Sequence, residues 1–231
     1  MNNINGKYKY KVETHLHTSQ SSPCSVNTGA ELARTCKLEG CCAIVTTDHF
    51  DRGYGIFNKN CSWDEKISLF MKGYEDAKKE GSKIGLDVYF GFEYGCDWGS
   101  HFLVYNFGEE QLRAYPEIFG DGIEKSFRKI RTAGGFIIHA HPFRAAFTPK
   151  PGRIFPELID AVEIINTGHG TVEENQRALE YAEKYNLVKF GGSDTHGVNH
   201  RGGGMMFARK PNSLDDIIDM AKKGECAILG E

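Results

Sequence analysis

The sequence has no Cys-x-x-Cys pair, no surplus of positive charge and no long apolar run. Each absence removes a class of protein. The seven cysteines (Cys24, Cys36, Cys41, Cys42, Cys61, Cys96 and Cys226) are odd in number and irregularly spaced. This argues against a disulfide framework or a thiolate-only metal set, and for reduced thiols in a cytoplasmic protein. Lysines and arginines number 28 against 31 acidic residues, a formal net charge of −3. The basic footprint of a nucleic-acid binder is therefore missing. Long nucleic acid is not the expected partner, although a small nucleotide, a phosphate ester or the end of a short oligonucleotide remains within reach of metals and a few arginines. No stretch approaches the ~20 apolar residues of a membrane helix. Residues 1–6 are polar, without a signal-peptide core. The expectation is a soluble protein with no membrane partner. Linkers, low-complexity tracts and internal repeats are also absent. The 231 residues, 40% hydrophobic, suit one domain over 1–231. Oligomeric state is not legible.

What is present is an alternation of short apolar runs and helix-like stretches. A β-prone run, Tyr8-Lys9-Tyr10-Lys11-Val12, leads into Glu13-Thr14-His15-Leu16-His17. If the strand continues through residue 17, His15 and His17 point to one face, because residues i and i+2 share a side. A helix is expected over 28–40, ending at Gly40, and a second over 63–80, ending at Gly81. Further helices are expected over 122–133, 172–185 and 213–223. Strands are expected at 41–45, 87–90, 102–105, 136–138, 161–165, 187–190, 205–208 and 226–229. Such alternation implies parallel strands with crossover helices. The strands are too many for a small open sheet, so a closed or nearly closed barrel fits better. The competing doubly wound sheet would often carry a glycine-rich phosphate fingerprint, which is absent.

Polar, ligand-type residues gather just after these runs: His15 and His17, Thr47-Asp48-His49, Glu93, His139-Ala140-His141-Pro142 and Asp194-Thr195-His196. His101 stands at the start of its run and would reach the same mouth if its strand ran antiparallel. In a parallel β/α barrel the strand C-termini share one face, which carries the active site. Imidazole with carboxylate suits zinc, manganese or iron. The ligands are too many for one tetrahedral ion, so two to three divalent transition-metal ions are expected, with Glu93 as the natural bridge. Asp48 and His196 are candidates for orienting water or managing protons. Arg144, then Arg201 and Arg153, are candidate phosphate donors, since a guanidinium matches phosphate bidentately. His169 could line the pocket, and His139 is expected beside the ligands rather than among them. Residues 51–62 and 144–156 are candidate lids.

Taken in order, Glu13-Thr14-His15-Leu16-His17-Thr18, Thr46-Thr47-Asp48-His49, Gly91-Phe92-Glu93, His101 with Phe102-Leu103-Val104-Tyr105, His141-Pro142 and Gly192-Ser193-Asp194-Thr195-His196 resemble the PHP (polymerase and histidinol phosphatase) family. The resemblance implies an α/β fold, a distorted (β/α)7 barrel with a trinuclear metal site at the C-terminal ends of the strands. It implies one ion on His15, His17, Glu93 and Asp194, a second on Glu93, His101 and His141, and a third on His49 and His196 with a ligand from the loop after His17. It also implies phosphoester hydrolysis of a small phosphomonoester (nucleotide, histidinol-phosphate-like or phosphotyrosine), with metal-bound hydroxide as nucleophile. The sequence departs from the pattern in that loop, where Thr18-Ser19-Gln20-Ser21-Ser22-Pro23-Cys24-Ser25 offers no carboxylate or imidazole. Cys24 is either a thiolate in that place or, as is commoner for free cysteine, a small buried residue. Two other functions compete. An amidohydrolase-type enzyme usually wants a carboxylated lysine at a strand end, and no lysine stands there. A non-catalytic metal-binding module has less reason to keep so many ligands.

Overall fold

The computed structural model describes residues 6–96, 99–145, 153–168, 170–199 and 202–230. Nine strands form one sheet: β1 (Tyr10–Glu13), β2 (Cys41–Phe50), β3 (Asp87–Gly95), β4 (His101–Tyr105), β5 (Phe136–Ala140), β6 (Ala161–Asn166), β7 (Val188–Gly192), β8 (Met205–Phe207) and β9 (Cys226–Ile228). Their order is β7-β6-β5-β4-β3-β2-β1-β8-β9. The β1–β3 set and the β5–β7 set are each parallel internally, whereas β4 runs antiparallel to both its neighbours. The chain beyond β7 returns to the chain beyond β1 through a parallel bridge between Leu16 and Thr195. Two backbone hydrogen bonds make this seam, His17 N–H to the Thr195 carbonyl at 2.9 Å and Thr195 N–H to the His15 carbonyl at 3.2 Å. The sheet is therefore a nearly closed barrel, with β8 and β9 added antiparallel beside the lower half of β1.

The structure changes the expected elements in several places. β1 ends at Glu13, so His15 and His17 lie beyond it in an extended segment held by the seam. The helix expected over 63–80 is two helices, α2 (Trp63–Phe70) and α3 (Lys72–Ile84), which meet at Met71. Gly81 does not stop α3. It lies inside the helix where a Cβ would meet the Leu86 carbonyl oxygen at 2.6 Å. The stop is Gly85, at φ +68°, the left-handed conformation in which glycine carries no steric penalty. The short helix α4 (Glu109–Ala114) was not anticipated; it is six residues long and starts without a side-chain hydrogen-bonding cap. Helices α1 (Gly29–Leu38), α5 (Ile123–Thr132), α6 (Val172–Lys184) and α7 (Leu214–Lys222) lie where expected.

Local chemistry explains the starts. Thr28 and Ser62 each accept from the backbone N–H three residues on, while Glu31 and Glu65 reach back to the cap, so both α1 and α2 open with a complete capping box. Residues 51–62 are not a loose lid. A 3₁₀ turn at Gly55–Asn58 buries Ile56 and Phe57. Phe57 packs on Phe50 and Phe119 with ring centroids 4.6 and 4.8 Å apart. Of the second candidate lid, 146–152 lies outside the described residues, and Phe155 beyond it is buried.

Helices α1 and α3 cross closely through glycines. A Cβ on Gly29 would collide with the Gly73 carbonyl oxygen, and one on Gly73 with the Thr18 hydroxyl. Gly73 thus brings α3 against the loop after His17. Replacing Gly29 by alanine should cost about 1–3 kcal/mol, the usual range for overpacking. Urea unfolding of Gly29→Ala checks this. An unchanged midpoint would mean that the helices separate without strain.

Candidate metal centre

The ligand-type side chains come from the ends of different strands. His15 and His17 follow β1, His49 and Glu93 sit near the ends of β2 and β3, His141 follows β5, and Asp194 and His196 follow β7. His101 opens β4. Because β4 is antiparallel, its first residue pairs with Gly95 at the end of β3 and Ala140 at the end of β5. His141 and Asp194 adopt positive φ, +29° and +52°. In a continuing strand His141 would share the side of His139; the turn instead directs it to the barrel mouth. His139 faces the other way and stacks on Phe102 with ring centroids 4.5 Å apart. It stacks in the aromatic layer under α5 and α6, beside rather than among the ligand-type residues.

Glu93 stands at the middle of the cluster and is buried. Its Oε1 is 3.0 Å from both His101 Nδ1 and His141 Nε2, and 3.4 Å from His15 Nε2. Its Oε2 is 2.8 Å from His49 Nδ1. Asp194 Oδ1 lies 3.1 Å from His17 Nε2 and 3.4 Å from His15 Nε2, and its Oδ2 accepts from Arg144 Nη1 at 2.9 Å. Ligand atoms of His15, His17 and Glu93 form one group, those of His49, Glu93 and His101 a second, and those of His17, His49 and His196 a third, each within 4.8 Å. Glu93 is common to the first two groups and His17 to the first and third.

The donor set fits divalent ions. His15 Nε2 and His17 Nε2 face each other at 3.1 Å. Glu163 Oε1 accepts from His15 Nδ1 at 2.9 Å, which leaves Nε2 to carry the lone pair. The Nδ1 atoms of His17 and His49 and Oε2 of Glu93 are buried without a hydrogen-bond partner, even though His49 Nδ1 and Glu93 Oε2 are only 2.8 Å apart. Close approach without hydrogen-bond alignment is what two ligands aimed at a shared cation produce.

Without ions, protons take over the compensation. Burial opposes the charged form of His15, but Asp194 and Glu163 override it and raise its pKa well above the ordinary value. Burial likewise opposes charge on His49 and His101, and Glu93 raises both. Burial raises Glu93 and Asp194, yet the histidines around them hold both well below the usual carboxylate range. His17 is lowered by burial and by the charges of His49 and His196.

The other expected residues divide. Asp48 does not reach the mouth. Its Oδ1 accepts from Thr18 N–H at 2.7 Å and from the Ser22 hydroxyl at 2.6 Å, and its Oδ2 from the Thr18 hydroxyl at 2.7 Å. There it anchors the loop after His17. Arg153 stacks over Phe155 at 5.3 Å and is exposed. It is not among the residues lining the cleft above the cluster. Arg201 and His169 lie outside the described residues. Arg144 and His196 do line the cleft, which has a volume of ≈ 560 Å³. Cys24 also lines it and is exposed, so it is not the small buried residue that was the commoner alternative.

Several residues escaped sequence reasoning. Glu163 holds His15 Nδ1, the His141 N–H at 2.9 Å and Asn166 Nδ2 at 3.0 Å. Its signal was a lone charge inside Ala161-Val162-Glu163-Ile164-Ile165. Glu13 Oε1 accepts from the N–H groups of Thr14, His15 and Ser193, each at 3.0 Å. It thereby ties together the two segments that carry His15 and Asp194. Asp51, 3.4 Å from His49 Nδ1, and Tyr54, edge-on to the His49 ring at 5.4 Å, complete the rim. Asp51 was legible by the same i, i+2 argument that singled out His15 and His17.

Comparison with known proteins agrees with this architecture. A family model described as PHP-associated matches residues 172–226, which include Asp194 and His196. An uncharacterized protein of Methanocaldococcus jannaschii is 28% identical over 193 residues, covering 80% of this chain. The chain spans 65% of that relative's length. A two-domain protein from Bacteroides vulgatus, described as containing a predicted PHP-like metal-dependent phosphoesterase, superposes with a TM-score of 0.70 at 17% identity, over 97% of this chain and 65% of its own. A lesion-specific endonuclease from Pyrococcus furiosus superposes with a TM-score of 0.65 at 15% identity, over 95% of this chain and 57% of its own. The motif resemblance thus holds at the level of the fold: this is a PHP-like α/β barrel with a PHP-associated C-terminal segment.

The buried His139 gives a pH prediction. Burial first, then the charges of His141 and His101, push its pKa down from 6.5 to about 3. The unfolded chain therefore binds one more proton than the folded one between these values, and stability falls as pH drops through that window. His139→Met, a swap of nearly equal volume, should keep stability at pH 7 within about 1.5 kcal/mol. It should also flatten the acid limb. Urea midpoints measured from pH 7 to pH 4 check this, and an equally steep limb in the variant would clear His139 of the effect.

Proposed function

We propose that the protein is a metal-dependent phosphoesterase acting on a small phosphomonoester. The observation that carries the reading is the position of Glu93, a buried carboxylate shared by two groups of histidines at the floor of the cleft. An amidohydrolase-type site would usually fill the bridging place with a carboxylated lysine; here Glu93 stands where it would be shared by two ions. Divalent ions bound in such a cluster lower the pKa of coordinated water and neutralise charge on phosphoryl oxygens.

The chain's own residues supply the rest. Glu163 fixes the tautomer of His15, and the Asp194 carbonyl oxygen accepts from His196 Nδ1 at 2.8 Å, which fixes that of His196. Arg144 brings a guanidinium to the cleft wall. Its Nη1 is on Asp194 while its buried Nε has no hydrogen-bond partner. A phosphate oxygen placed there would satisfy Nε. The ≈ 560 Å³ cleft suits a drug-sized or nucleotide-sized molecule. Tyr54 offers an aromatic face or a hydroxyl at its rim.

The barrel shared with a lesion-specific endonuclease supports a second reading, in which the phosphoester belongs to a nucleic-acid strand. The fold does not exclude that substrate class, so the expectation against long nucleic acid finds no support in the comparison. The net charge of −3 favours the small molecule for this chain.

A panel of phosphomonoesters, phosphodiesters and abasic-site oligonucleotides, offered to protein reconstituted with manganese or zinc, tests both readings. Phosphate release from a small monoester is expected, with loss on chelation and recovery on adding metal back. Arg144→Ala should lower kcat/KM by about 10²-fold, as removal of one oxyanion donor does. Turnover of oligonucleotides alone would favour the second reading. Turnover of cyclic amides with none of phosphoesters would overturn both.

A further inference from the structure

Cys24 belongs to the loop after His17, which offers no carboxylate or imidazole, and it lines the cleft together with His49 and His196. On one side of Cys24, the Ser22 hydroxyl donates to Asp48 and accepts the His49 N–H at 3.0 Å. On the other, the Ser25 hydroxyl donates to the His17 carbonyl at 2.7 Å, and Val26 N–H to the His196 carbonyl at 2.9 Å. The residues flanking Cys24 are thus bonded to all three histidines of one group. Within that group the His17 ring stacks between His49 and His196, 4.4 Å from each. His17 is fully buried, and its Nδ1 has no hydrogen-bond partner. Three clustered imidazoles with an orphaned buried nitrogen point to a ligand independently of the cysteine.

The geometry points to Cys24 as a thiolate ligand that, with His49 and His196, makes the outer metal position of this centre a mixed sulfur–nitrogen site selective for zinc over manganese. The inference rests on the metal-centre reading above and adds a difference between positions within it. Sulfur ligands favour soft or borderline ions, whereas the inner ligands are imidazole and carboxylate, which manganese accepts. When the ion binds, the thiol proton is released to solvent and the sulfur lone pair forms the new bond. Tyr54 shares the thiol as a neighbour.

Cobalt is a spectroscopic stand-in for zinc that reports sulfur ligation directly. Chelator-treated full-length protein is titrated with Co(II), and bound metal is counted by elemental analysis. The wild type should develop a near-ultraviolet thiolate-to-cobalt charge-transfer band. Cys24→Ser should lose the band and about one ion per chain, the remaining sites being independent of sulfur. Cys24→Asp should restore the ion without the band, which separates a lost ligand from a disturbed loop. Titrated with manganese alone, the wild type and Cys24→Ser should bind the same number of ions, whereas zinc should fill about one more position in the wild type than in Cys24→Ser. No band in the wild type, or the same band and ion count in Cys24→Ser, overturns the assignment. Phosphatase activity of the manganese-loaded wild type is measured in parallel. Its absence alongside the band would refute the proposed reaction and leave the ligand standing.

Discussion

The Glu93 carboxylate is the constraint on which the rest of the structure depends. It is buried among His15, His49, His101 and His141, each within 3.4 Å of one of its oxygens. An isolated buried carboxylate costs several kcal/mol or more, and burial of this kind persists only with compensating positive charge. The cluster must therefore always contain cations, whether protons on imidazoles or metal ions. Against the opposing effect of burial, their carboxylate neighbours raise the pKa values of His15, His49 and His101 and so favour the protonated forms. The same groups must shed those protons to ligate metal, so metal affinity here is coupled to pH by construction.

Such a cluster demands a rigid frame, and the fold spends its buried polar residues on one. Glu13 holds the N–H groups of His15 and Ser193, and Asp48 holds those of the loop that begins at Thr18. Glu163 holds both the His15 ring and the backbone of His141. None of these three carboxylates lines the cleft. Each accepts several donors from segments that carry ligands, so removing any one would leave buried donors unsatisfied. The barrel closes through the same chain segments, since the Leu16–Thr195 bridge lies between the two histidines of the first motif and beside Asp194. The segments that close the sheet are the ones that carry His15, His17 and Asp194.

The sequence was most informative where chemistry and periodicity coincide. Convergence of His15, His17, His49, Glu93, His101, His141 and Asp194 followed from placing polar residues at strand ends, with an antiparallel β4 as the condition for His101 to join them, and β4 is antiparallel. Roles were less legible than positions. Asp48 and Asp51 are both acids beside His49, but only the structure shows Asp48 turned to Thr18 and Ser22 and Asp51 turned to the rim. His139 and His141 read as one i, i+2 pair, and the positive φ at His141 breaks it. No local pattern foretells that turn. Glycine 81 read as a helix stop, yet it is a contact point against Leu86, a tertiary fact invisible to propensity. Glu163 was passed over because its strand was read for its apolar neighbours, although a lone charge in a buried run is itself the anomaly worth explaining.

Depth divides the centre into unlike halves. His15, His17, Glu93 and Asp194 are at most 3% exposed, whereas His49, His101 and His196 are only half-buried and line the cleft. An ion on the inner residues would be largely shielded from solvent, whereas one on the outer residues would face the cleft. A ligand change is therefore tolerated differently in the two places. Substitution inside would strand a buried charge, while substitution at the rim alters only which ion is preferred and how fast it leaves. That asymmetry gives a physical reason why the chain can depart from the family pattern in the loop that bears Cys24 while keeping the deep ligands of the same centre.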